Sequence, residues 1–174
     1  MKKVIFYFHG FGFNPSSEKV LKLKKVFPED VVIKLDIDYR LNEVDIHNQL
    51  EKQISEILQE YLHEEVEIIF MGTSMGAWWA SQFHIKHLSK LLVINPVYDP
   101  KNTLRRFGVS LGSTDKYQEA DYQDAVCFIA KNDEVIDHSK FLSEHKNEVF
   151  IFNVAKHRFS GDEFQSVINY IKAL

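Results

Sequence analysis

Six short runs of β-branched and aromatic residues alternate along this chain with longer segments patterned as helices. The runs are Val4–Phe8, Val31–Leu35, Glu67–Phe70, Leu91–Ile94, Val126–Ile129 and Val149–Phe152. Strands that alternate with helices imply parallel βαβ units, because a parallel partner is reached only through a crossover that lies on a face of the sheet. Between the first two runs, Asn14-Pro15 suggests an N-cap followed by proline at the first helical position. The helix after it places Val20, Leu23 and Phe27 on one face and ends near Pro28. The clearest helix runs from about Asp45 to His63, with Ile46, Leu50, Ile54, Ile57, Leu58, Tyr61 and Leu62 stepping by three or four. A last helix starts at Ser160, where Glu163 three residues on completes a capping-box pattern, and it buries Phe164, Val167, Ile168 and Ile171. The expected architecture is α/β: one compact domain over residues 1–174, with a mostly parallel six-stranded sheet flanked by helices and no large lid. Residues 99–124 stand outside this pattern and read as a loop or small cap.

Composition removes several function classes. A formal net charge of −4 gives no basic footprint for nucleic acid. The local cluster Lys22-Leu23-Lys24-Lys25 reads as a solvated helix face. A single cysteine, Cys127, allows neither an internal disulfide framework nor a thiolate metal cage, and its apolar neighbours suggest a buried strand. The apolar run after Lys2-Lys3 is shorter than a signal-peptide core or a membrane span. The reading is a cytoplasmic protein with no membrane or nucleic-acid partner.

The chemistry concentrates at strand ends, where parallel sheets place their functional residues. Gly72-Thr73-Ser74-Met75-Gly76 directly follows the third run and opens the helix-like Ala77-Trp78-Trp79-Ala80. The five-residue pattern alone would occur by chance in roughly one chain in twenty of this length. Between a strand and a helix it is a nucleophile elbow: a turn too sharp for side chains at the flanking positions, aiming the serine hydroxyl out of the sheet. Such a serine needs a base, and in this arrangement acid and base follow it along the chain. Asp133 lies just after the fifth run and His157 just after the sixth. Glu134 and Asp137 are the competing acids, and His138 and His145 the competing bases, but these four fall in loop or helix-like stretches. His9-Gly10-Phe11-Gly12 after the first run is where a second oxyanion donor belongs, so the backbone N–H groups of Phe11 and Met75 are assigned to the oxyanion hole. His84-Ile85-Lys86-His87 could offer two metal ligands from one helix face, but no third ligand is placed, and no metal or cofactor is expected.

Together these elements resemble the α/β-hydrolase superfamily, in particular the small bacterial YqiA-like esterases. The resemblance spans nearly the whole chain and rests on Phe8-His9-Gly10-Phe11, Gly72 to Ala77, Asn95-Pro96, Asp133-Glu134-Val135-Ile136-Asp137 and His157-Arg158-Phe159. It implies a lidless carboxylic-ester or thioester hydrolase with a Ser74, Asp133, His157 triad. Asn132 stands where such proteins often have glycine, and Trp78 and Trp79 replace small or tyrosine residues. Both departures bear on substrate preference rather than on the triad. Phe13, Trp78 and Tyr98, with Phe11, fall near expected loop ends and are the candidates to line an acyl pocket, although core packing is at least as common for Trp78 and Trp79. Arg105-Arg106 could meet an anionic head group such as a carrier-protein phosphate, a solvated pair being the commoner case. The rival function is a non-catalytic ligand- or protein-binding module on a hydrolase scaffold.

Overall fold

Each of the six apolar runs forms a strand in the computed structural model, which describes residues 1–11, 17–109, 117–144 and 148–174. The strands are β1 (Lys2–Phe8), β2 (Val31–Lys34), β3 (Val66–Thr73), β4 (Lys90–Ile94), β5 (Ala125–Ala130) and β6 (Val149–Phe152). They make one sheet in the order β2-β1-β3-β4-β5-β6, and all five pairings are parallel. The expectation of a mostly parallel sheet therefore sharpens to an entirely parallel one. Among the described residues the helices are α1 (Ser17–Val26), α2 (Glu43–Gln59), α3 (Met75–Phe83), α4 (Pro100–Arg106), α5 (Ser139–Glu144) and α6 (Gly161–Ala173).

Alternation along β1 divides the core. Val4, Phe6 and Phe8 face Ile46, Leu50 and Ile54 of α2 and the aromatic face of α3, whereas Ile5 and Tyr7 face Val20 and Leu23 of α1 and Val167 and Ile171 of α6. Every one of these side chains is buried, so both sheet faces are covered, as a parallel sheet requires. Helix α2 starts earlier than its apolar spacing suggests, because the Asn42 side chain accepts the Asp45 N–H and caps it. It also stops earlier, at Gln59, and leaves Leu62 largely exposed. Helix α6 begins after Ser160 as expected, but that side chain makes no capping hydrogen bond, so the capping box is not formed. The Asn14-Pro15 cap lies outside the described residues. Residues 99–124 contain α4, which Asp99 caps by accepting the Asn102 N–H. No helix among the described residues is long and apolar enough to cross a membrane.

The chain leaves β1 toward one edge to make β2, then returns to place β3 on the other side. This reversal makes the carboxyl ends of β1 and β3 a switch point of the topology, the position at which open α/β sheets build their sites. Phe8 pairs with Gly72 and Thr73 with Ile94, so these strand ends are level with one another.

Candidate active site

Ser74 sits between β3 and α3 with φ 55° and ψ −123°, a backbone conformation that non-glycine residues rarely hold. Three backbone bonds fix it there: its N–H donates to Ile94 O at 2.9 Å, and its carbonyl accepts from Ala77 N–H at 3.0 Å and Val97 N–H at 3.3 Å. The two flanking glycines are steric necessities. A Cβ on Gly72 would overlap the backbone of Ala77, and one on Gly76 would overlap the carbonyl oxygens of Phe8 and His9. The second overlap shows that α3 rests directly on the end of β1.

That contact brings the loop after β1 against the serine. A Cβ at Gly10 would stand 3.1 Å from Ser74 Cβ and 3.6 Å from its Oγ, so the bare Cα of Gly10 leaves the hydroxyl room. His9 then orients the loop. Its Nδ1 is 3.0 Å from Gly10 O and its Nε2 is 3.3 Å from Ile37 N, an arrangement that only the neutral Nδ1–H tautomer satisfies at both ends. Burial holds this imidazole below its ordinary pKa and favours the same neutral form. Because a peptide N–H points opposite to its carbonyl, anchoring Gly10 C=O on His9 turns the Phe11 N–H the other way. The Tyr39 hydroxyl adds a 2.6 Å bond to His9 O. Met75 is the first residue of α3, where a helix has no internal acceptor for its N–H.

Asp133 follows β5 and is nearly inaccessible, its side chain 1% exposed. Its Oδ1 accepts the N–H groups of Val135 at 2.8 Å and Ile136 at 2.9 Å. Its Oδ2 accepts His157 Nδ1–H at 2.7 Å and His138 Nε2–H at 3.0 Å. Burial alone would raise the pKa of this carboxyl, but the bonds from His138, His157 and the Ile136 amide outweigh it and hold the group well below the usual carboxylate range. Bonding through Nδ1–H leaves His157 Nε2 with a lone pair, as a general base requires. The His157 N–H in turn donates to Glu134 Oε2 at 3.1 Å, so the neighbouring acid supports the backbone of His157.

One residue ties these parts together, and the sequence reading gave it no role. Asn95, fully buried at the end of β4 with φ 44°, donates from Nδ2 to His157 O at 2.8 Å and Lys156 O at 3.3 Å. Its Oδ1 accepts the Ala130 N–H at 2.7 Å, and its own N–H donates to Phe128 O. The residue before it, Ile94, accepts from Ser74. Asn95 therefore joins the elbow, the end of the acid strand and the loop carrying His157. The available signal was an asparagine, tolerant of positive φ, directly after a strand and before proline.

The model of the uncharacterised protein family UPF0227 matches residues 4–127, a stretch that includes Gly10, the elbow and Asn95. The chain belongs to UPF0227. A UPF0227 protein of Shewanella baltica strain OS195 is 22% identical over 151 residues, which cover 81% of this chain and 82% of that one. A Xanthomonas campestris protein of the α/β hydrolase superfamily superposes over the whole of both chains with a TM-score of 0.70 at 16% identity. A soluble variant of monoglyceride lipase from Saccharomyces cerevisiae gives a TM-score of 0.70 at 14% identity, covering 99% of this chain and 85% of the lipase. These likenesses show that the UPF0227 chain has the α/β-hydrolase fold.

The expected pocket residues of this UPF0227 chain fare differently. Phe13 lies outside the described residues. Trp78 is 2% exposed, donates its indole N–H to Gln118 O at 2.9 Å, and packs on Trp79 and Tyr117, so it is a core residue and not an open pocket wall. Tyr98 lines a cleft of about 720 Å³ between α4 and the acid loop, together with Arg106, Glu134, Asp137 and Lys140. Arg105 also borders it, so the arginine pair faces a cleft of mixed charge rather than a cationic patch. Phe11 meets two aromatic partners absent from the sequence reading: Tyr39 edge-on at 5.3 Å and half-exposed Phe107 stacked at 5.6 Å. No group of three or more His, Cys, Asp or Glu among the described residues is arranged to hold a metal ion.

Proposed function

We propose that this chain is a serine hydrolase that cleaves carboxylic esters or thioesters of acyl groups through an acyl-enzyme. The observation that carries the reading is the 2.7 Å bond between His157 Nδ1 and the buried Asp133 carboxylate, which fixes the imidazole tautomer that can take a proton at Nε2. His157 removes the Ser74 hydroxyl proton as the serine oxygen attacks the acyl carbonyl. The resulting oxyanion is met by the N–H groups of Phe11 and Met75. Collapse expels the alcohol or thiol, which takes the proton from His157, and water resolves the ester on Ser74 by the same path in reverse. The aromatic group of Phe11, Tyr39 and Phe107 beside the oxyanion loop favours an apolar acyl chain.

A fluorophosphonate probe tests the nucleophile. Labelling of the wild-type chain at Ser74, absent in Ser74→Ala, is the expected result. Hydrolysis of p-nitrophenyl esters should fall at least about 10³-fold in that variant, as in other triad enzymes. Unlabelled wild-type protein with no turnover across a series of acyl lengths would instead favour the binding-module reading.

A further inference from the structure

We propose that His138 is a positioning residue that, as a second imidazole on the oxygen shared with His157, fixes the orientation of the Asp133 carboxylate. The inference rests on the hydrolase reading for its catalytic consequence, but its structural half stands on geometry alone. A buried carboxylate offers about four lone-pair sites, and each needs a donor once water is excluded. Val135 and Ile136 occupy the two sites on Oδ1, and His157 takes one on Oδ2. The remaining site is filled by His138, five residues along the chain and 5% exposed. Without that fourth donor the carboxylate could rotate or share its oxygen differently, and the direction in which it presents a lone pair to His157 would no longer be set.

The tautomer of His138 follows from its surroundings. Nε2 must carry the hydrogen, because the Asp133 carboxylate it meets can only accept. Nδ1 is buried and has no hydrogen-bond partner among the described residues, so a hydrogen there would be stranded without an acceptor. The side chain is 4% exposed against 13% for His157, so His138 is the more deeply buried of the two imidazoles on Asp133. His138 acts through Asp133 and does not touch the reacting atoms.

Two substitutions separate positioning from bulk packing. His138→Gln keeps an N–H near the position of Nε2, and His138→Phe keeps ring volume without a donor. With p-nitrophenyl ester substrates and the full chain, kcat of His138→Phe should fall about 10-fold to 100-fold at unchanged KM, the range typical of lost outer-shell support. His138→Gln should stay within about three-fold of wild type. In an Asp133→Ala background the Phe substitution should cost nothing further, because its route of action has been removed. An undiminished loss in that background, or equal losses for Gln and Phe, overturns the proposal. Nitrogen-15 NMR of histidine-labelled wild-type protein decides the structural half whether or not any ester turns over. It should find a hydrogen on His138 Nε2, the nitrogen that faces Asp133, and an Nδ1–H tautomer with bare Nε2 overturns the proposal independently of the hydrolase reading.

Discussion

Replacing Asn95 by alanine should damage stability and catalysis together, and the size of the first effect can be worked from the contacts. The substitution removes the bonds to His157 O and Ala130 N–H, and the longer one to Lys156 O. The Ala130 N–H is left without its acceptor in a fully buried strand, at about 1–3 kcal/mol for a stranded polar group. Loss of the two carbonyl contacts adds about 1–2 kcal/mol. Holding alanine at φ 44°, a region asparagine tolerates better, adds about 1 kcal/mol. The sum, about 3–6 kcal/mol, is a large part of the 5–15 kcal/mol that typically holds a domain folded. Asn95→Gly loses the same bonds but not the backbone strain, and should be about 1 kcal/mol less damaging than Asn95→Ala. Urea denaturation of the three proteins measures both differences, and ester hydrolysis well below the unfolding midpoint measures the catalytic loss. An Asn95→Ala midpoint within 1 kcal/mol of wild type, or a glycine variant no better than alanine, would refute the reasoning.

Two further outcomes follow from geometry already described. Gly76→Ala should be insoluble or lose more than about 4 kcal/mol, because its methyl would overlap the Phe8 and His9 carbonyls, whereas Gly108→Ala, with φ 81° but nothing within 4 Å of the added carbon, should lose only about 1 kcal/mol; thermal melts compare the two. The Asp133 carboxyl is held below its unfolded pKa, so its contribution is complete above the unfolded value of about 4 and is lost as pH falls toward the folded value. The stability gap between wild type and Asp133→Asn should therefore be widest at neutral pH and narrow progressively below about pH 4, as read by denaturation at a series of pH values.

The fold was legible because a parallel sheet buries both faces of its strands, and runs such as Val4–Phe8 and Leu91–Ile94 carry that burial in their composition. The elbow was equally legible, since its geometry forces glycine at 72 and 76. Asp133 and His157 could be placed by strand ends and chain order, and they do meet. What escaped was how loops fold back on themselves and which aromatic side chains meet across segments. His138 reads as one of two histidines in a helix-like stretch until the turn at Val135 and Ile136 folds it back onto Asp133. The partnership of Phe11 with Phe107 joins residues whose proximity no local pattern encodes. Trp78 and Tyr98 lay near expected loop ends, but helix phase turns Trp78 into the core. The start of α2 was misjudged because the Asn42 cap decided it, whereas α6 starts after Ser160 as expected but without the capping bond that the pattern there suggests.

Strand β6 is an edge strand of only four residues, with Ile151 half exposed and Val154 just beyond it almost wholly so. The loop it delivers carries the proposed base, whereas the proposed nucleophile, Ser74, follows β3 inside the sheet. Peeling the outermost strand away would unseat His157 while leaving the serine turn and both apolar layers around β1 in place. The proposed ester turnover and persistence of the folded body are then separable properties, lost at different thresholds of heat or denaturant. A population of intact but silent molecules would precede global unfolding, and amide exchange would find the first opening at this margin.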